Sequence, residues 1–269
     1  MYNMANKMAL LEIHRVSKQF GSKTIISSLD LNAEEGSIFG FLGPNGAGKT
    51  TTIRMIVGIL RPTEGEISIS GYDAVEDAIQ AKMITGYIPD APYLYPKLTG
   101  YEYLELVAHL YGLKNFKKRI FTLAERFDLA GSLEYFIDSY SFGMRQKLSI
   151  IGAVIPNPKL VVVDEPLIGL DPPAARTVKD LFIELKKDGV LVFMSTHFLE
   201  IAELLCDRVG IIDRGELASV GRLDELMKNK NTRLEEIFLR LLAERREEGS
   251  DERRRWEALA DAAGRSKTC

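Results

Sequence analysis

Shortages say most about this chain at first reading. It has 269 residues and only two cysteines, Cys206 and Cys269. They are far apart, with no CxxC spacing and no histidine cluster beside them, so neither a disulfide framework nor a structural metal site is expected. Long apolar runs are also missing. The longest, LSIIGAVIPNPKLVVV, is cut by Pro156, Asn157, Pro158 and Lys159, short of the eighteen or so residues a membrane span needs. The first residues, MYNMANKMALLEIHRVSKQFG, lack the apolar centre of a secretory signal. A cytoplasmic location is expected. There is no surplus of positive charge either: 35 Lys and Arg stand against 38 Asp and Glu, a formal net charge of -3. That balance argues against a general nucleic-acid binder, which needs a basic face, so no nucleic-acid partner is expected. No internal repeat is visible.

What is present reads as an α/β protein. LLEIHRV (10–16) and IISSLDLNA (25–33) have strand patterns, and EEG (34–36) is a turn. SIFGFLG (37–43) is a buried strand, followed by a glycine-rich turn and a helix from about Lys49 to Leu60. A strand EISISG (66–71), a short helix near 75–83 and a strand ITGYIP (84–89) come next. From about Thr99 to Asn157 apolar residues recur three and four apart, the period of helices. KLVVVDEP (159–166), VLVFMST (190–196) and RVGIID (208–213) return to strands, separated by helices near 173–187 and 198–205. Such alternation predicts a mostly parallel sheet covered on both faces, with an all-helical insertion near 90–157. Past Leu223 the pattern is helical and increasingly charged. ERREEGSDERRRWEALADAAGRSKTC, with the lone tryptophan Trp256, is expected to be a solvated appendage.

Three strand ends carry chemistry. GPNGAGKT (43–50) fits G-x-x-x-x-G-K-[ST] between a strand and a helix. Glycines 43, 46 and 48 allow backbone N–H groups to converge on phosphate oxygens, and the helix start adds its positive dipole end. Lys49 should reach the β- and γ-phosphates and the Thr50 hydroxyl should ligate Mg²⁺. LVVVDEP presents Asp164 for the Mg²⁺ shell and, one residue on, Glu165, which can polarise an attacking water. His197 ends a third strand, where a neutral imidazole can hydrogen-bond a γ-phosphate or that water.

Together these residues resemble the ATP-binding-cassette (ABC) ATPases over roughly residues 10 to 222. GPNGAGKTT looks like the family's Walker A loop, implying nucleotide contacts from Gly43, Pro44, Asn45, Gly46, Ala47, Gly48, Lys49, Thr50 and Thr51. VVVDEP resembles its Walker B strand with the catalytic glutamate, GLD (169–171) its D-loop with Asp171, and STH its switch histidine. Phe20 stands where the family stacks an aromatic ring on adenine. YSFGMRQ (140–146) resembles the signature LSGGQ: Ser141 and Gly143 match, while Tyr140, Phe142 and Met144 depart. In the family that helix start caps the γ-phosphate held by a second chain, so Ser141 and Gly143 are assigned to a partner's nucleotide. Asp90 stands after YIP where the family commonly has a metal-contacting glutamine, and is assigned to the Mg²⁺ site.

The resemblance implies a P-loop NTPase core with a mixed, mostly parallel sheet, an N-terminal antiparallel β subdomain and an inserted α-helical subdomain. It implies ATP and Mg²⁺ as cofactors and an ATPase domain over 1–230, followed by a charged helical tail over 231–269. It implies a homodimer or heterodimer of ATPase subunits on a separate integral membrane permease, at the cytoplasmic face of the cell membrane. YSFGM, the acidic residue after YIP, and RLEEIFLRL (233–241) look like the branch that serves ABC-2-type permeases, rich in exporters. A soluble ABC ATPase acting on ribosomes or DNA is the alternative. Such proteins usually carry two cassettes or a coiled-coil insertion, and neither is seen here. A GTPase is disfavoured because NKNT (229–232) lacks the aspartate that reads guanine.

Overall fold

A computed structural model describes residues 9–165, 167–227 and 233–245. Among these residues the strands form two sheets. The first is antiparallel. β1 (Ala9–Phe20) pairs with β2 (Lys23–Glu34) and with β4 (Glu64–Ile69), and β5 (Tyr72–Asp73) extends it, giving the order β2-β1-β4-β5. The second contains β3 (Ile38–Leu42), β6 (Thr85–Ile88), β7 (Leu160–Asp164), β8 (Leu191–Thr196), β9 (Arg208–Asp213) and β10 (Glu216–Arg222). Its order is β10-β9-β3-β8-β7-β6, parallel throughout except for the edge strand β10.

Every residue of β3, β7 and β8 is buried, as the unbroken apolar runs predict for central parallel strands. Period-two geometry sends alternate side chains to opposite cores. Phe39, Phe41, Val162 and Phe193 face the antiparallel sheet and α1 (Lys49–Ile56). There Phe39 and Phe193 stack, with ring centroids 5.4 Å apart. Val161, Val163, Val192 and Met194 face the other way. That core continues into the helical insertion, α3 (Gly100–Leu110), α4 (Lys117–Arg126) and α5 (Phe142–Val154), through Leu104, Ile120, Leu148 and Ile151. α2 (Ala78–Met83), α6 (Pro172–Lys187), α7 (Leu199–Leu205) and α8 (Leu223–Leu226) complete the layers, followed by a helix over 234–245, here α9.

Three observations revise the sequence expectations. The helix expected to reach Leu60 ends at Ile56, because Gly58 two residues on takes a left-handed φ of 69°. Strand β10 was not anticipated. Its ELASVGR is half-exposed on a sheet edge and so lacks an apolar run. The described part of the expected tail, α9, packs on the body. Leu234, Ile237 and Leu242 are buried, the Leu234 N–H donates to Glu203, and Arg245 donates to Glu216 at 3.1 Å. Trp256 lies outside the described residues.

Candidate functional site

The C-terminal ends of β3, β7, β8 and β6 converge on one cavity of about 580 Å³, the place where parallel α/β sheets bind ligands. β3 delivers the phosphate-binding loop. Gly48 caps the start of α1 with φ 112°, and a Cβ there would overlap the Ile26 side chain, so only glycine serves. Asn45, Gly46, Gly48, Thr50 and Thr51 line the cavity together with Lys49. Gly43, Pro44 and Ala47 instead anchor the loop. The Ala47 N–H donates to Pro44 O at 3.2 Å, and the Gly215 N–H donates to Ala47 O at 2.9 Å. Lys49 is buried and donates to Gly43 O at 2.7 Å and Pro44 O at 3.2 Å. Burial holds its ammonium below the usual lysine range, partly offset by the charges of Glu165 and Asp164.

β7 ends in the paired carboxylates. Asp164 is buried and its Oδ1 accepts from Ser195 Oγ, while its Oδ2 is buried with no hydrogen-bond partner among the described residues. A desolvated carboxylate oxygen is costly unless a cation or donor meets it. Asp164 therefore fits a Mg²⁺ ligand, with Thr50 and Asp90 lining the same cavity. Among the described residues no three of His, Cys, Asp and Glu form a protein-only metal cage. Mg²⁺ usually takes one or two carboxylates and keeps waters and substrate phosphates for the rest, so the residues present fit it.

Glu165 takes a left-handed φ of 52°, which for a non-glycine residue costs about 1–3 kcal/mol. That turn separates its carboxylate from the side chain of Asp164 and brings it to β8. There its Oε2 accepts from Thr196 Oγ1 at 3.2 Å and its Oε1 lies 2.7 Å from His197 Nδ1. Both His197 and Glu165 line the cavity. Asp90, just past β6, is exposed, and its Oδ1 accepts from the Ala91 N–H at 2.9 Å.

The remaining expected residues lie elsewhere. Phe20, at the tip of the β1–β2 hairpin, is half exposed and does not line the cavity. The Lys18 ammonium sits 5.1 Å from its ring centroid. Lys23 and Ile25, across the hairpin, do line it. Ser141 caps α5, its Oγ accepting from the Met144 N–H at 3.2 Å. Asp171 caps α6, its Oδ1 accepting from the Ala174 N–H at 2.8 Å. Ser141, Gly143 and Asp171 do not line this chain's cavity. Sequence reasoning overlooked Ser195 and Thr196 as partners of the two carboxylates. Their signal was two hydroxyl residues closing an otherwise apolar strand.

Comparison with known proteins agrees with this geometry. The family model described as ABC transporter matches residues 26–168. The chain is 37% identical over 242 residues to the ABC-type transporter ATP-binding protein EcsA of Bacillus subtilis (strain 168), covering 88% of this chain and 98% of that one. It is 35% identical over 224 residues to the Nod factor export ATP-binding protein I of Cupriavidus pinatubonensis (strain JMP 134 / LMG 1197), covering 82% and 69%. A solved structure of an ATP-binding subunit of an ABC transporter superposes with a TM-score of 0.83 at 34% identity, covering 87% of this chain and 99% of that one. Its cavity, its sheet order and these similarities agree: the chain belongs to the ABC transporter family, as an ATP-binding subunit.

Proposed function

We propose that this chain hydrolyses ATP to ADP and phosphate and that two such subunits, paired head to tail, drive a separate membrane permease in the direction of export. The observation that carries the hydrolytic part is the Glu165–His197 contact of 2.7 Å at the wall of the nucleotide cavity. The loop N–H groups and the start of α1 receive the phosphates. Lys49 exchanges the carbonyls of Gly43 and Pro44 for phosphate oxygens. Asp164 and Thr50 would hold Mg²⁺, with Asp90 contributing to that site, and the bound ion would neutralise charge on the phosphates. Glu165 takes the proton of the attacking water as general base. His197, by donating Nδ1–H to the carboxylate, keeps it oriented; a carboxylate can only accept.

Pairing is supported by the position of Ser141, Gly143 and Asp171 off their own cavity. A separate permease is supported by the absence, among the described residues, of a helix long and apolar enough to cross a membrane. A second cavity of about 300 Å³ lies between the core and the helical insertion, lined by Tyr87 just before Asp90 and by Tyr103 and Tyr111 of the insertion. We assign the permease contact to this groove. Export is supported by the likeness to the Nod factor export ATP-binding protein I and by the form of the YSFGM segment. The cell-membrane location at the cytoplasmic face follows from that partner.

The test is phosphate release from Mg·ATP by the purified chain, alone and in membranes with its permease. Release that stops on chelation of Mg²⁺ is expected. ATP binding without any phosphate release in either setting overturns the reading.

A further inference from the structure

Phe142 is the residue at which YSFGM most visibly departs from a glycine-rich helix start. It occupies the first position of α5 and is 39% exposed. Its ring does not simply point to solvent. It lies on Gly169, where a Cβ would overlap ring atoms Cδ1 and Cε1, and Gly169 itself has φ 75°. The neighbouring Gly143 closes in from the same side, since a Cβ there would stand 3.2 Å from Gly169 O.

Gly169 belongs to the short loop that joins Glu165 to Asp171. Among the described residues its own backbone bonds are long, Ile168 N–H to Glu165 O and Leu170 N–H to Leu167 O, both at 3.4 Å. Ile168, the residue before Gly169, lines the nucleotide cavity. The loop is thus fixed at one end by the strained Glu165 backbone and at the other by the Asp171 cap. Between those points the Phe142 ring is a packing contact that reaches it from the helical insertion.

We infer that Phe142 is a positioning residue for hydrolysis: its ring clamps the Gly169 loop, so that the start of α5 and the loop behind Glu165 move as one body. The inference rests on the ATPase reading above. Phe142 does not line the cavity, and its removal leaves the phosphate-binding loop intact. The clamp acts on turnover and not on nucleotide affinity.

The experiment compares Phe142→Ala, Phe142→Leu and Phe142→Tyr in the full chain. Small misplacements near reacting groups cost up to about a hundredfold in rate, so Phe142→Ala is expected to lower kcat about tenfold or more. Its affinity for a fluorescent ATP analogue should stay within about twofold of wild type, since no contact of the phosphate-binding loop changes. Phe142→Tyr keeps the ring and should restore kcat; Phe142→Leu should fall between. In parallel, hydrogen exchange at residues 167–170 should speed up in the Ala variant, stay slow in the Tyr variant, and remain unchanged at 45–50. Wild-type kcat in the Ala variant overturns the inference, as does a Tyr variant that falls as far as Ala. If the Ala chain does not fold, Leu against Tyr decides by the same criteria. A wild-type chain that releases no phosphate would sink the ATPase reading alone. The exchange comparison would then still decide the clamp, with unchanged exchange at 167–170 in the Ala variant overturning it.

Discussion

His197 Nδ1 lies 2.7 Å from Glu165 Oε1, and the same carboxylate accepts from Thr196 Oγ1 at 3.2 Å. Because an ionised carboxylate has no proton to give, Nδ1 must carry the hydrogen. In a neutral ring Nε2 is then an acceptor and cannot donate to a phosphate. A neutral His197 therefore orients Glu165 or accepts from water, and reaches a phosphate as a donor only when it is doubly protonated.

Replacing Glu165 by Gln keeps size and one acceptor oxygen, which can still meet His197 Nδ1–H, but removes the base. Steady-state phosphate release should fall by about 10²–10⁴-fold, with ATP still bound. His197→Ala should lower the rate by acting through Glu165. The two changes should therefore not add, and the double variant should match Glu165→Gln. Losses that multiply in the double variant would show that His197 works independently.

Asp90 is expected to link hydrolysis to the permease. It lines the nucleotide cavity, and three residues earlier in the sequence Tyr87 lines the groove toward the helical insertion. Gln146 of α5 ties that insertion to the same point, its Nε2 donating to Pro89 O at 3.4 Å. Asp90→Ala should lower permease-stimulated hydrolysis more than the basal rate of the isolated subunit. Equal proportional losses in the two assays would confine Asp90 to the metal site.

Much of this arrangement was legible from residue patterns, for physical reasons. β3, β7 and β8 are buried on both faces, so their sequences had to be apolar throughout, and what interrupts the apolar run at each C-terminal end is chemistry: the glycine loop, Asp164–Glu165, His197. Edge strand β10 was not legible because a half-exposed strand needs no apolar run. Nor was the Phe142–Gly169 contact. It joins residues 27 apart through a tertiary approach that local periodicity does not encode, and a glycine at 169 reads equally well as a simple turn. The left-handed Glu165 was hidden too, since nothing in its residue type favours φ 52°.

Alkaline pH should loosen the fold. Burial pushes the Cys206 thiol up to about 12, with Asp207 adding and Lys186 opposing. Burial also pushes the Tyr87 hydroxyl to about 12, aided by Asp164 and Asp90, and the Tyr103 hydroxyl to about 12, aided by Tyr95. In the unfolded chain these groups lose protons near their ordinary values of 9.0 and 10.0. All three therefore favour the folded form fully below about pH 9, and that contribution is lost as pH rises through the folded values. The melting temperature should fall steadily between pH 9 and 12, and less steeply in Cys206→Ala. A flat profile for the wild type over that window would contradict the buried thiol and phenols.

Ser141 is expected to meet the nucleotide of a second subunit. Its Oγ caps α5 by accepting from Met144, which leaves its own proton free to donate, and it lies off the cavity of its own chain. Asn45, by contrast, lines that cavity. With Cys206 and Cys269 changed to serine, single cysteines at 45 and 141 report whether the two positions approach across a dimer. Disulfides form only when Cα atoms come within about 7 Å. Glu165→Gln slows turnover so that ATP stays bound between the chains. With ATP and a mild oxidant most of the protein should run at dimer mass on a non-reducing gel, and without nucleotide it should stay largely uncrosslinked. Chains with one cysteine of the pair should give no ATP-dependent dimer. Phe142 turns back onto Gly169 of its own chain and so leaves the α5 start open, which favours approach despite the bulk at that position. Crosslinks that depend on ATP but stay within single chains would refute the assignment across the dimer, because they would place both phosphate-facing elements on one nucleotide in one molecule.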